Sequence, residues 1–84
     1  MASIKERIMA VTAHVLEIDS ATIKPEHDFG ADLGAESVQS VELVAMFEDE
    51  FGVDMDEDEA LSVTTVAGAI EYITKVCQEQ DVEV

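Results

Sequence analysis

Eighty-four residues suffice for one domain near the lower limit at which a single hydrophobic core supports folding. The chain is 48% hydrophobic, which excludes a disordered acidic tail. Its formal charge is −16, and Lys5, Arg7, Lys24 and Lys75 are its only basic residues. No Lys or Arg lies between Pro25 and Thr74. The cations that neutralise nucleic-acid phosphates or an anionic membrane surface are therefore missing, which argues against both partners. Acidity of this kind suits partners with basic patches, met by electrostatic steering, or simply keeps a small protein soluble. Cys77 is the single cysteine, so an intramolecular disulfide and a cysteine-based zinc site are ruled out. A reduced, cytoplasmic setting fits, with Cys77 as a small apolar residue near the end of the last helix. No signal-peptide core or membrane-length apolar run is visible. The expectation is a monomeric domain over residues 1–84, ordered over about 2–77, with a frayed tail from Gln78.

Taken in order, the elements are helical. Ile4, Ile8, Val11 and Val15 recur at spacings of four, three and four and predict an amphipathic helix over about 2–17. A long connector follows, roughly Ile18 to Glu36, with the only proline, Pro25, and two glycines, Gly30 and Gly34. Ile23, Phe29 and Leu33 are expected to pin it to the core. A loop of this length in so small a domain is often functional. A second helix is predicted from Ser37 to Phe51, ending at Gly52. "DEDEAL", residues 56–61, predicts one short helical turn. Thr64 or Thr65 then caps a last helix with Val66, Ala69, Ile70, Ile73 and Cys77 as its apolar positions. The sum is an all-α chain, a small four-helix bundle of three main helices and one short one, with a long loop between the first two main helices.

The second helix is the most informative. At about 100° per residue, Ser40, Leu43, Val44, Phe47 and Phe51 share the side expected to face the core. The other side carries Val38, Glu42, Ala45 and Asp49, with Val41, Met46 and Glu48 at its margins. Apolar groups alternate there with carboxylates, a pattern that fits a partner surface with apolar dimples ringed by Arg and Lys. Scattered apolar surface residues are also ordinary.

Ser37 opens this helix, and enzyme roles for it fail on pattern. A hydrolase elbow needs Gly-x-Ser-x-Gly, whereas the chain reads Ala35-Glu36-Ser37-Val38-Gln39. Nothing in the spacing of His14 or His27 points at Ser37. Asp54, Asp56 and Asp58 hint at a calcium loop, but Glu59 and Thr65 occupy the positions where an EF-hand needs Gly and Glu. No metal site is expected beyond loose cation binding. A helix start does favour a phosphate, through unpaired N–H groups and the positive end of the dipole. The plain alternative is that Ser37 is an ordinary N-cap.

Two segments, "DLGAESVQSVELVAMFEDEFGVDM" and "VTTVAGAIEYI", resemble the acyl carrier proteins. The first runs beside that family's Asp-Leu-Gly-Ala-Asp-Ser-Leu and acidic helix, the second beside its Thr-Thr-Val and last helix. The resemblance covers residues 29 to 73. It implies that a holo-synthase transfers 4'-phosphopantetheine from coenzyme A to Ser37, and that the arm's thiol carries acyl groups as thioesters. The chain itself is then no enzyme, and serves fatty acid biosynthesis. The resemblance also implies basic-patch partners, the holo-synthase and acyl-transfer or chain-elongation enzymes, reading Glu36, Val38, Gln39, Val41, Glu42, Ala45, Met46, Glu48 and Asp49. An acyl tail is expected among Phe29, Phe47, Met55, Ala60, Leu61, Val63, Ala69 and Tyr72. The family's Asp-Ser-Leu is here Glu36-Ser37-Val38, its frequent acidic residue two after the serine is Gln39, and its Met-Ala order is reversed to Ala45-Met46. These departures open a first alternative, a specialised carrier for polyketide, lipid-A-type or other secondary acyl chemistry. A second, from another class, is a plain acidic helical interaction module without a prosthetic group.

Overall fold

The computed structural model describes residues 2–83; Met1 and Val84, the ends of the expected domain, lie outside the described residues. α1 spans Ile4–Leu16. It starts where Ser3 and Glu6 satisfy each other's backbone: Ser3 Oγ accepts from the Glu6 N–H at 3.1 Å and Glu6 Oε1 from the Ser3 N–H at 3.0 Å. This capping box saves two donors at the helix start. The same bonds hold the exposed Glu6 carboxyl below its ordinary pKa. α2 spans Ser37–Phe51 and ends at Gly52, whose φ of 66° is the left-handed conformation that glycine adopts without strain. α3 spans Glu57–Ser62, one residue later than "DEDEAL", because Asp56 is spent as its N-cap and accepts from the Glu59 N–H at 3.0 Å. α4 spans Val66–Glu79, and Thr65 is the residue that caps it, accepting from the Gly68 N–H at 3.0 Å. A single 3-10 turn, Ser20–Thr22, interrupts the connector. Among the described residues the architecture is thus all-helical, as expected, with one isolated bridge between Asp28 and Thr65.

α1 packs against α2 and α4, and α3 against α2. Ile8, Val11 and Val15 of α1 meet Leu43, Phe47 and Phe51 of α2 and Val66, Ala69, Ile73 and Cys77 of α4 in one core. Ile23 and Phe29 are buried and Leu33 half-buried, so the connector is pinned where its apolar residues predict. Thr12, absent from the apolar pattern, is fully buried because its hydroxyl donates to the Ile8 carbonyl at 2.8 Å. Its methyl is then free to pack like that of a valine.

At the C-terminal end, helix and side-chain bonds extend into the segment expected to fray. α4 continues through Gln78 to Glu79, the Gln80 side chain bonds to the backbone of Asp54, and the Val82 N–H donates to the Cys77 carbonyl at 2.8 Å. Polar composition suggested an untied tail; the amide of Gln80 supplies a tie that hydrophobic patterning does not register.

Candidate functional site

The segment Asp28–Ala35 forms a tight platform before α2. Asp28 Oδ1 accepts from the N–H groups of Gly30 and Ala31, both at 2.9 Å, and Asp32 Oδ2 accepts from the Asp28 N–H at 2.7 Å. The Ala35 N–H closes the turn on the Phe29 carbonyl at 2.8 Å. Gly34, with φ 75°, takes the one left-handed step this path needs. The Phe29 N–H donates to the Thr64 carbonyl at 2.9 Å and the Val66 N–H to the His27 carbonyl at 3.0 Å. The platform is thereby fastened to the start of α4, and the entry point of α2 is fixed from two directions.

Ser37 is the first residue of α2, and Glu36 holds the N-cap position. Ser37 is therefore not the N-cap that the plain alternative supposed. Glu36 and Gln39 form a capping box, in which the Glu36 side chain faces the Gln39 N–H short of a full cap hydrogen bond, in line with the poor fit of its longer stem to cap geometry. Gln39 reaches back, and its Oε1 accepts from the Glu36 N–H at 3.0 Å. Ser37 is exposed, and among the described residues its hydroxyl is committed to no hydrogen bond. It stands at the positive end of a fifteen-residue helix.

A cavity of about 60 Å³, reached on α2 by Ser40 one turn on from Ser37, lies between α2, α3 and α4. Phe29, Phe47, Met55, Ala60, Leu61, Val63, Ala69 and Tyr72 all line it. Ser40, Leu43, Val44 and Ile73 complete the wall. The sequence assigned the three α2 residues among these to the inward side and Ile73 to the last helix's apolar positions. The missed signal was that they share those faces with Phe47 and Ala69. Burial pushes the Tyr72 phenol above its ordinary pKa, and the carboxylates of Glu59, Asp56 and Glu79 add to the shift.

On the outer side of α2, Val38, Val41, Glu42, Ala45 and Asp49 are exposed. Three residues expected on this face are partly committed inward. Met46 is half-buried against the core, Gln39 serves the cap, and Glu48 Oε2 accepts from the Met55 N–H at 2.9 Å. His27 is engaged in the connector, where its Nδ1 accepts from the Lys24 N–H at 3.1 Å. Among the described residues no cluster of His, Cys, Asp or Glu is arranged to hold a metal, and no helix is long and apolar enough to cross a membrane.

The family model described as a phosphopantetheine attachment site matches residues 6–73, more than half of the chain. The chain belongs to the phosphopantetheine-binding acyl carrier family. Members of that family take 4'-phosphopantetheine as prosthetic group, and the group's terminal thiol supplies thioester chemistry. Such carriers bear acyl chains and interact with synthases and transferases. The residues present in this carrier fit the group. An exposed, unspent hydroxyl at a helix N-terminus accommodates a phosphodiester, and the cavity that Ser40 lines one turn on is mostly apolar.

Proposed function

We propose that this carrier bears its 4'-phosphopantetheine on Ser37, is not itself catalytic, and acts in the cytoplasm as a monomer in fatty acid biosynthesis. The observation that carries the assignment is Ser37 itself, the exposed first residue of α2, with Ser40 one turn on lining the cavity. The chain's residues then have three duties. The platform 28–35 and the start of α2 present the hydroxyl to a transferase. The cavity shelters the apolar end of an acyl group between reactions. The face of Val38, Val41, Glu42, Ala45 and Asp49 docks on basic patches of the holo-synthase and of acyl-transfer and elongation enzymes, with Glu36, Gln39, Met46 and Glu48 at its edge.

A specialised carrier for other acyl chemistry is the second reading. It is favoured by Gln39, whose amide is spent at the helix start where a free carboxylate would offer partners a charge. Intact mass after incubation with coenzyme A and a phosphopantetheinyl transferase tests the assignment. Wild type is expected to gain one phosphopantetheine and Ser37→Ala none, with both folded. Ser40→Ala is the control and is expected to be modified normally. A mass gain on Ser37→Ala would place the attachment elsewhere, and no gain on wild type would favour the plain interaction module.

A further inference from the structure

The α3 side of the cavity has little anchorage of its own. No residue of α3 is buried, and Leu61 is 38% exposed although it lines the cavity. This side is tethered at both ends, after α3 by the Thr64 carbonyl, which accepts from the Phe29 N–H, and before it by the backbone between α2 and α3, where Val53 is buried. Glu48 grips the near part: its carbonyl accepts from the Gly52 and Val53 N–H groups at 2.9 and 3.2 Å, and its carboxylate from the Met55 N–H at 2.9 Å. The second grip comes from beyond α4. Gln80 Oε1 accepts from the Asp54 N–H at 3.0 Å, and Gln80 Nε2 donates to the Asp54 carbonyl. One side-chain amide satisfies both backbone groups of Asp54, as a neighbouring strand would. Gln80 is itself positioned, because its N–H donates to the Val76 carbonyl at 3.0 Å and Val82, two residues on, packs against the core.

We infer that Gln80 is a latch on the cavity, a positioning residue that holds the Asp54–Met55 backbone and so sets how often the α3 side opens to admit or release an apolar tail. The part played toward cargo rests on the proposed acyl-sheltering role. The chemistry of the latch is specific to an amide. Asp54 needs an acceptor and a donor together; a glutamate offers only the acceptor and adds a negative charge to an acidic loop, and an alanine offers neither. The bonds are exposed to water, so each contributes modestly. That suits a closure that yields at low cost, and low-stability segments are where opening motions are drawn from.

Amide hydrogen exchange on the unmodified chain tests the latch directly. In Gln80→Ala the Asp54 N–H is expected to exchange faster by roughly tenfold, the scale of losing one or two net hydrogen bonds. Gln80→Glu is expected to fall between Ala and wild type, and the Ile18 N–H, bonded to the Ala13 carbonyl at the end of α1, to stay at the wild-type rate. Unchanged Asp54 exchange overturns the latch. So does acceleration spread evenly over α1 and α4 with a matching fall in unfolding free energy, which would mark Gln80 as a general stabiliser. The cargo role is read from hydrolysis of acetyl and dodecanoyl thioesters on the loaded carrier. Gln80→Ala is expected to speed loss of the dodecanoyl group and leave the acetyl rate unchanged, and an equal effect on both overturns that role. If wild type takes no phosphopantetheine, the cargo role falls with the carrier reading, while the exchange result still decides the latch.

Discussion

At the C-terminal end of α2, Phe47 and Phe51 are 5% and 3% exposed, and Arg7 of α1 lies over the Phe51 ring at 4.3 Å from its centroid. At the N-terminal end, Val38 is 81% exposed and Ser37 presents a free hydroxyl. One continuous helix is therefore anchored at one end and exposed at the other, the end proposed to meet partners. The platform 28–35 fixes the entry of α2 through backbone bonds, so the first turn needs few buried side chains of its own. This is how a small domain with a limited core can leave Val38 in solvent: the aromatic residues at the far end and the platform before the helix hold it in place. Truncation tests the contrast most sharply. Phe51→Ala is expected to destabilise the fold by about 3–5 kcal/mol, since it removes a buried ring and leaves a cavity. Val38→Ala is expected to change stability by about 0.5 kcal/mol or less. Urea unfolding of the two variants measures both, and comparable losses would mean that the N-terminal end is part of the core after all.

The anchor has a second component of smaller size. Arg7 Nε donates to Glu50 Oε2 at 2.8 Å, and a terminal guanidinium nitrogen donates to the Glu50 carbonyl at 2.7 Å. The pair is partly exposed, with side chains 25% and 38% accessible, so its electrostatic part is discounted for solvent screening. Bonding the last-turn carbonyl and stacking on Phe51 are the parts that water weakens less. Arg7→Ala is therefore expected to cost about 1 kcal/mol, measured by the same unfolding titration. Glu50→Gln should cost less, because the carbonyl bond and the ring contact survive. Added salt should remove most of the Glu50→Gln effect and little of the Arg7→Ala effect. An Arg7→Ala loss that vanishes in salt would show that the ion pair alone carried it.

This division between the two ends was largely legible in the sequence. A period of about 3.6 residues puts Leu43, Val44, Phe47 and Phe51 on one side whatever the neighbours are, and Ser37 follows directly on a glycine-punctuated loop. Residues whose role depends on one side-chain bond were not legible. Glu48 and Gln39 look like solvent-facing positions by angle, yet each is long enough to turn and satisfy a backbone N–H. Gln80 sits in a polar tail, and its match to Asp54 joins residues on two different elements. Thr12 counts as polar on any scale and is buried because the helix supplies its acceptor. Periodicity reports where burial of apolar area is favourable. It carries no information about which polar side chain finds a partner across a turn, and the acidic connectors of this carrier are held largely by such bonds.

The smallest expected effects lie at the offered end, where the structure refines what Glu36 and Gln39 do. The Gln39 amide closes on the Glu36 N–H, so replacing it with Asp alone exchanges a cap bond for a charge. The charge is favoured at the first turn by the helix dipole and by basic partners, while loss of the cap opposes it. Glu36→Asp strengthens the remaining half of the capping box, with a shorter side chain better suited to accept from the N–H groups of the first turn. The double change Glu36→Asp with Gln39→Asp is therefore expected to keep wild-type stability. It should also raise the rate at which a fatty-acid-type holo-synthase modifies Ser37, by roughly fivefold or less, the scale of an exposed charge pair. The gain should be larger at low salt, because the added carboxylate acts mainly on association. Gln39→Asp alone should gain less and lose a little stability. Glu42→Lys, exposed on the same face, should slow modification in either background without unfolding the chain. Transfer rates at two ionic strengths, with thermal unfolding of each variant, decide the matter. A double variant no faster than wild type at low salt would mean that the offered end is read through shape and apolar contact at Val38 and Val41 and not through charge, and the case for a specialised carrier would lose the substitution that favours it.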